Sequence, residues 1–130
     1  MAKRSELREK IMTILYQVEM YKKNKYDYDI KKVIKENVEI DNDFVNNIVN
    51  GVLKEQDKID ELANKYLNNW TIDRIETLGA SILRMSIYEI KYTDTPDIVA
   101  INEGVELAKK YCDDKVKNMI NAVLDKIVNN

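Results

Sequence analysis

An all-α fold is what this sequence predicts, and three observations carry the prediction. Helix breakers are scarce, with one Pro and three Gly in 130 residues, which disfavours a turn-rich β fold. Apolar residues recur three and four apart through most of the chain, the spacing of helices with one buried face. One stretch, Leu78 to Tyr92, is apolar on most of its helical circumference: Leu78, Ile82 and Met85 make one stripe and Leu83, Ile87 and Ile90 another, leaving only Arg84 and Lys91 as a polar strip. Such a helix has to be packed on several sides, so it is expected at the centre of a compact bundle. The length suits one domain, residues 1–130, large enough to bury a core of its own.

The elements follow in order. A first helix is expected over about Ala2 to Tyr21, with Leu7, Ile11, Ile14, Leu15 and Val18 on its core face; Arg8, Met12 and Tyr16, four apart, form a separate stripe. Lys22 to Lys25 read as a polar break. A short second helix, Tyr28 to Asn37, buries Ile30, Val33 and Ile34. Asp41, Asn42 and Asp43 offer N-caps for a third helix reaching Tyr66, whose stripe runs Val45, Ile48, Val49, Val52 and then Ile59, Leu62, Ala63, Tyr66. Gly51 inside it predicts a close helix–helix approach, since Gly costs about 1 kcal/mol there relative to Ala. A loop over Asn68 to Thr71, anchored by Trp70, and a helical turn lead into the central helix. Pro96 suits the first turn of the next helix, capped by Thr95 or Asp94 and expected to bury Ile98, Ile101, Val105 and Ala108. Asp113 or Asp114 caps the last helix, with Val116, Met119, Ile120, Val123, Leu124 and Ile127 on its inner face.

The inventory argues against an enzyme. There is no His, which removes the commonest general base and zinc ligand. The single Cys112 forms neither an internal disulfide nor a thiolate metal site and reads as an idle thiol of a reducing, cytoplasmic setting. No Gly-rich phosphate loop is present, so neither metal nor cofactor is expected. No apolar run approaches the ~20 residues of a membrane span. The net charge of −2 selects no partner class, so nucleic-acid contact has to come from a local basic face.

Two such faces are candidates. Lys3, Arg4, Arg8 and Lys10 open the first helix, interrupted by Glu6 and Glu9, and Arg8 shares its stripe with Tyr16. Cations beside an aromatic ring suit a phosphate chain with a stacked base. Lys109, Lys110, Lys115 and Lys117 bracket the start of the last helix. The expectation is that the first and last helices place these side chains along one channel. Glu89, on the apolar central helix, needs polar partners if buried; backbone N–H groups of a neighbouring helix start, or Arg74, are the expected ones.

Several segments together resemble the NusB family of bacterial transcription antitermination factors: Asn50-Gly51-Val52, Trp70 ahead of Arg74, Ile82-Leu83-Arg84 with Tyr88-Glu89, Asp94-Thr95-Pro96, Ala100 to Lys109, and Ile120 to Asp125. The resemblance covers essentially the whole chain in order, and Ile101 to Lys109 is its most specific part. It implies about seven helices in two helical subdomains and a non-enzymatic RNA-binding protein. The implied partners are the small-subunit ribosomal protein NusE, the boxA element of ribosomal RNA leader transcripts, RNA polymerase with other Nus factors, and, in some members, a second copy of the chain in a homodimer.

Carried over by position, the resemblance implies RNA contacts at Lys3, Arg4, Arg8, Tyr16, Tyr111, Lys115 and Met119, and partner contacts at Met20, Glu76, Gly79 and Ala80. The chain departs from the family pattern at Ser5 and Glu6, where arginines are common, at Met119, where an aromatic is usual, and at Gly79-Ala80, where an acidic-basic pair is usual. Two other readings fit parts of the sequence: the NusB-like RNA-binding domain of ribosomal RNA cytosine methyltransferases, and a helical interaction protein with no RNA role.

Overall fold

The computed structural model describes residues 3–130; the expected helix start at Ala2 lies outside the described residues. Six α-helices and one 3-10 turn account for the architecture: α1 (Arg4–Lys23), α2 (Ile30–Asn37), α3 (Asp43–Tyr66), the 3-10 turn (Ile72–Arg74), α4 (Thr77–Tyr92), α5 (Asp97–Tyr111) and α6 (Asp114–Asn129). The expected seven helices are thus six and a turn. The expected two subdomains share one continuous hydrophobic core that draws on every helix.

Local chemistry explains most boundaries. Asn42 accepts a hydrogen bond from the Val45 N–H at 3.1 Å and Asp113 one from the Val116 N–H at 2.9 Å, the N-caps of α3 and α6. Asp29 does the same for α2 through the Lys31 N–H. Pro96 itself occupies the cap position of α5, with no side chain capping it. The α1–α2 connection turns at Lys25, which adopts a left-handed φ of 59°.

Helix α4 is the axis of the bundle. Ile82, Leu83, Met85 and Ile87 have no exposed surface, and α1, α3, α5 and α6 all pack against it. Around that axis α1 touches α3 and α5, and α6 also touches α3 and α5. Contacts along the helices give their directions. Arg8 with Glu89 and Lys23 with Thr77 make α1 antiparallel to α4. Asp60 with Arg84 and Gly51 against Tyr88 do the same for α3. A Cβ on Gly79 would sit 2.7 Å from Val116 Cγ1, and one on Gly104 would press on Ser86 and lie 3.6 Å from Leu124; α6 therefore runs parallel to α4 while α5 runs against both.

Four sequence expectations change. Arg84 is buried rather than on a polar strip: its guanidinium makes paired hydrogen bonds of 2.8 and 3.0 Å to Asp60. Ile98 is 68 % exposed, because the Gly104–Ser86 approach turns the face carrying Ala100, Ile101, Gly104, Leu107 and Ala108 inward. Trp70 is 45 % exposed and does not anchor its loop; the loop is held instead by the Ile72 N–H donating to Asn64 Oδ1 and the Trp70 N–H to the Leu67 carbonyl, both at 2.8 Å. Val116 and Met119, expected on the inner face of α6, are only half-buried.

The Ser86 hydroxyl is buried with no hydrogen-bond partner among the described residues. Ser86→Ala is expected to raise stability by about 1 kcal/mol, since it removes an uncompensated buried polar group. Gly104→Ala is expected to lower it by about 1–3 kcal/mol through overpacking. Urea denaturation of the three proteins checks both signs.

Candidate nucleic-acid interface

Arg8, expected to face RNA, is 2 % exposed. Its Nε donates to Glu89 Oε2 at 2.8 Å, its Nη2 to Glu89 Oε1 at 2.9 Å, and its Nη1 to Glu103 Oε1 at 3.2 Å. Desolvation by burial pulls its pKa down, but the hydrogen bonds and charge of Glu89, with Glu103, outweigh that and hold it above its ordinary value. Glu89, 0 % exposed, also accepts the Thr95 hydroxyl at 3.0 Å. Its partners are therefore Arg8 and Thr95, neither Arg74 nor a helix N-terminus. Met12, next on the stripe, is 2 % exposed. A period of four put Arg8 and Tyr16 on one face, but that face turns toward α4 and α5.

The remaining candidates separate. Lys3 and Arg4 are exposed at the start of α1, where the Arg4 guanidinium lies 4.5 Å over the Phe44 ring. That position is beside the C-terminal end of α4, through Arg8 and Glu89. Helix α6 begins beside the other end of α4, through Gly79 and Val116. At 1.5 Å per residue, the 16 residues of α4 span about 24 Å. The basic starts of α1 and α6 thus lie at opposite ends of the bundle, and the single channel expected from sequence is not formed by them. The seam between α1 and α5 is lined by Glu6, Glu9, Glu103 and Glu106 as well as Lys109 and Lys110, an unfavourable track for a phosphate chain.

Two candidates, Tyr111 and Lys115, lie at the end where α4 begins, while Tyr16 and Met119 sit nearer the middle of the bundle. Helices α1 and α5 run parallel, tied by Ser5 to Glu103 at 2.6 Å and Lys110 to Glu9 at 3.1 Å. Tyr111 is 38 % exposed with Lys110 Nζ 5.2 Å over its ring; Tyr16 is half-buried. Lys115 is exposed, and Met119, one turn on, is half-buried against the core. The sequence reading missed the neighbour of Lys115: its Nζ lies 5.6 Å over Trp70, an aromatic–cation pair formed by residues too far apart in sequence for any spacing rule.

Of the expected partner contacts, Met20 is half-buried and Glu76 exposed. Gly79 and Ala80 are buried, and the Gly79 position is filled by Val116. The departure from an acidic-basic pair there is a packing feature, which admits α6 close to α4.

Among the described residues no group of acidic, Cys or His side chains could hold a metal ion, and no helix is long and apolar enough to cross a membrane. Cys112 is half-buried, and desolvation pushes its thiol up to about 11, with Glu76 and Asp113 adding to the rise. Lys115, Trp70 and Tyr111 set a cation and two rings at helix ends, and Arg4 lines a pocket with Phe44, Tyr88 and Tyr92, so the molecule is a helical platform that presents cations and rings.

The comparisons with known proteins agree. Residues 5–129 match the model of the NusB family. The chain is 39 % identical over 126 residues to the transcription antitermination protein NusB of Listeria monocytogenes serotype 4a, covering 96 % of this chain and 95 % of that protein. It is 37 % identical over 128 residues to that of Bacillus subtilis, covering 96 % and 94 %. Among solved structures, Thermotoga maritima NusB superposes with a TM-score of 0.88 at 25 % identity, over 99 % of this chain and 92 % of that one. A structure of antitermination factors NusB and NusE in complex with dsRNA superposes at 0.82 and 24 % identity, covering 97 % and 96 %. The chain belongs to the NusB family.

Two outcomes follow from the geometry. Glu89→Gln leaves the Arg8 charge buried without its main counter-charge and is expected to cost about 3–5 kcal/mol, read as a lowered denaturation midpoint. A thiol raised to about 11 is protonated at neutral pH. Cys112 in the folded protein should therefore be alkylated roughly 100-fold more slowly than a free thiol near pH 7.5, the rate climbing as pH approaches 11.

Proposed function

We propose that this protein is a non-enzymatic transcription antitermination factor that binds boxA RNA of ribosomal RNA leader transcripts as a heterodimer with the ribosomal protein NusE. The pair acts in the cytoplasm, with other Nus factors on RNA polymerase. Family membership along residues 5–129 carries the reading; the exposed cation–aromatic groups at the end of the bundle where α4 begins supply its physical means.

The whole chain serves as one RNA-binding domain. Lys115 neutralises phosphate, and the exposed rings of Tyr111 and Trp70 offer surfaces for unpaired bases. Tyr16 and Met119 lie nearer the middle of the bundle, while Lys3 and Arg4 contribute from the far end. Glu76 is the exposed member of the partner set and Met20 a half-buried one. Arg8 acts indirectly, by holding α1 to α4 and α5. Charge neutralisation of this kind weakens as salt rises.

Filter binding to a boxA oligonucleotide, with and without NusE and across a salt series, tests the reading. Tyr111→Ala and Lys115→Ala are each expected to weaken binding roughly tenfold, in line with about 1–3 kcal/mol per stacked base, with thermal melting unchanged. Binding by the unaltered pair that is absent or insensitive to salt would contradict it.

A further inference from the structure

The most basic stretch of the chain lies outside every site described above. Between Lys22 and Lys35 there are six lysines against Asp27 and Asp29, a local charge of +4 in a chain whose net charge is −2. Three tyrosines interleave them, all exposed: Tyr21 at 38 %, Tyr26 at 67 % and Tyr28 at 37 %. Tyr21 and Tyr28 stack at 6.0 Å between centroids and 14° between planes. That contact clasps the end of α1 to the start of α2 and leaves Tyr26 standing free on the turn.

The fold sorts these lysines onto one surface. Val33, with Ile30 and Ile34, turns the inner side of α2 to the core, so Lys31, Lys32 and Lys35 share its outer side. Lys22 and Lys23 are partly committed, to Glu19 and Gln56 and to the Thr77 hydroxyl. Lys25, Lys31, Lys32 and Lys35 make no ion pair among the described residues. Among the carboxylates nearby, Asp29 is occupied in capping α2 and Asp41 binds the Asn46 amide, while Asp27, Glu36 and Glu39 remain. The 2.7 Å bond from Lys23 to Thr77 places the turn out of α1 at the end of the bundle where α4 begins, the end that carries Tyr111 and Lys115, and α2 leads away from it, with Lys31 and Lys35 lining a pocket beside Asn42, Asn46 and Asn50 at the start of α3.

We infer that the α1–α2 corner is a second single-stranded RNA contact, which takes the phosphate chain flanking the primary element along Lys31, Lys32 and Lys35 and stacks a base on Tyr26. Unpaired lysines beside a free ring suit a flexible strand and carry no base code, so the contact adds affinity without sequence preference. It rests on the RNA-binding reading above but involves none of the residues assigned there.

Two RNAs separate the two ideas: a minimal boxA oligonucleotide, and the same element extended by about ten unpaired uridines, within the range of single-strand site sizes. Both are titrated against the complex with NusE over a salt series. The unaltered protein is expected to bind the extended RNA roughly tenfold more tightly than the minimal one. Combined Lys31→Gln, Lys32→Gln and Lys35→Gln should keep minimal-RNA affinity within about twofold, lose the gain from extension, and reduce the log–log salt slope by about 2, at ~0.7 per single-strand phosphate contact. Tyr26→Ala should lose part of the gain, about threefold, with the slope unchanged because no charge is removed. A triple variant that keeps the extension gain overturns the inference while boxA binding stands. A triple variant that loses NusE affinity instead makes the corner a surface for an acidic protein and equally overturns it. Failure of the unaltered complex to bind either RNA removes the antitermination reading and this contact with it.

Discussion

The bidentate contact between Arg8 and Glu89 sets the frame of this bundle. Helix α4 is apolar on nearly every side, so its burial is favourable only if its one wholly enclosed carboxylate is neutralised. Arg8 provides the charge, and Glu103 and Thr95 bind what is left of the two groups. Two regions distant in sequence meet at this point: the start of α1, and the continuous stretch from the end of α4 through the connection to the first turns of α5. A helix sliding by one residue along its neighbour would break both parallel hydrogen bonds at once. The ion pair therefore acts as a register device, and Arg84 with Asp60 repeats it between α4 and α3.

Those registers decide what the surface can do. With α1 and α3 antiparallel to α4, and α6 parallel to it, one end of the molecule gathers the end of α3, the start of α6, the end of α5 and the turn out of α1. Trp70, Tyr111, Lys115 and the tyrosine-bearing turn out of α1 all come from these termini. Helix ends are where long side chains and loop aromatics escape the core, so a bundle with a fully buried centre presents its binding groups at its ends. The acidic seam between α1 and α5 sharpens this, since it discourages an anionic strand from running along the flank. On the function proposed above, RNA recognition by such a body rests on point contacts at helix ends and on a partner protein.

The elements themselves were legible because their causes are local. Asn42 and Asp113 cap the helices that follow, the breaks fall at the expected segments, and the central helix was identified by being apolar in every direction. Family membership was readable too, because it depends on the order of short patterns along the chain. The misreadings share a different cause. Arg8 and Arg84 are charged residues whose burial depends on a partner supplied by another helix, and periodicity alone assigns a charge to the outside; Glu89 falls among apolar residues in the sequence, but its partners, Arg8 and Thr95, do not follow from spacing. Ile98 and Trp70 err in the opposite sense: each is a large apolar side chain that the packing of its neighbours leaves exposed. Gly79, an altered position of the family's partner surface, is where Val116 of α6 packs on α4, a contact that no spacing within α4 announces.

By itself, then, the sequence determined an all-helical chain, its caps and breaks, the identity of its central helix and its kinship. These follow from short-range hydrogen bonding and from a hydrophobic period within single segments. Only the tertiary structure decided which charges are sealed as structural pairs and which remain for a ligand, and which basic segments share an end of the molecule. That division depends on the direction and register of helices packed side by side, a long-range property that no single helix encodes.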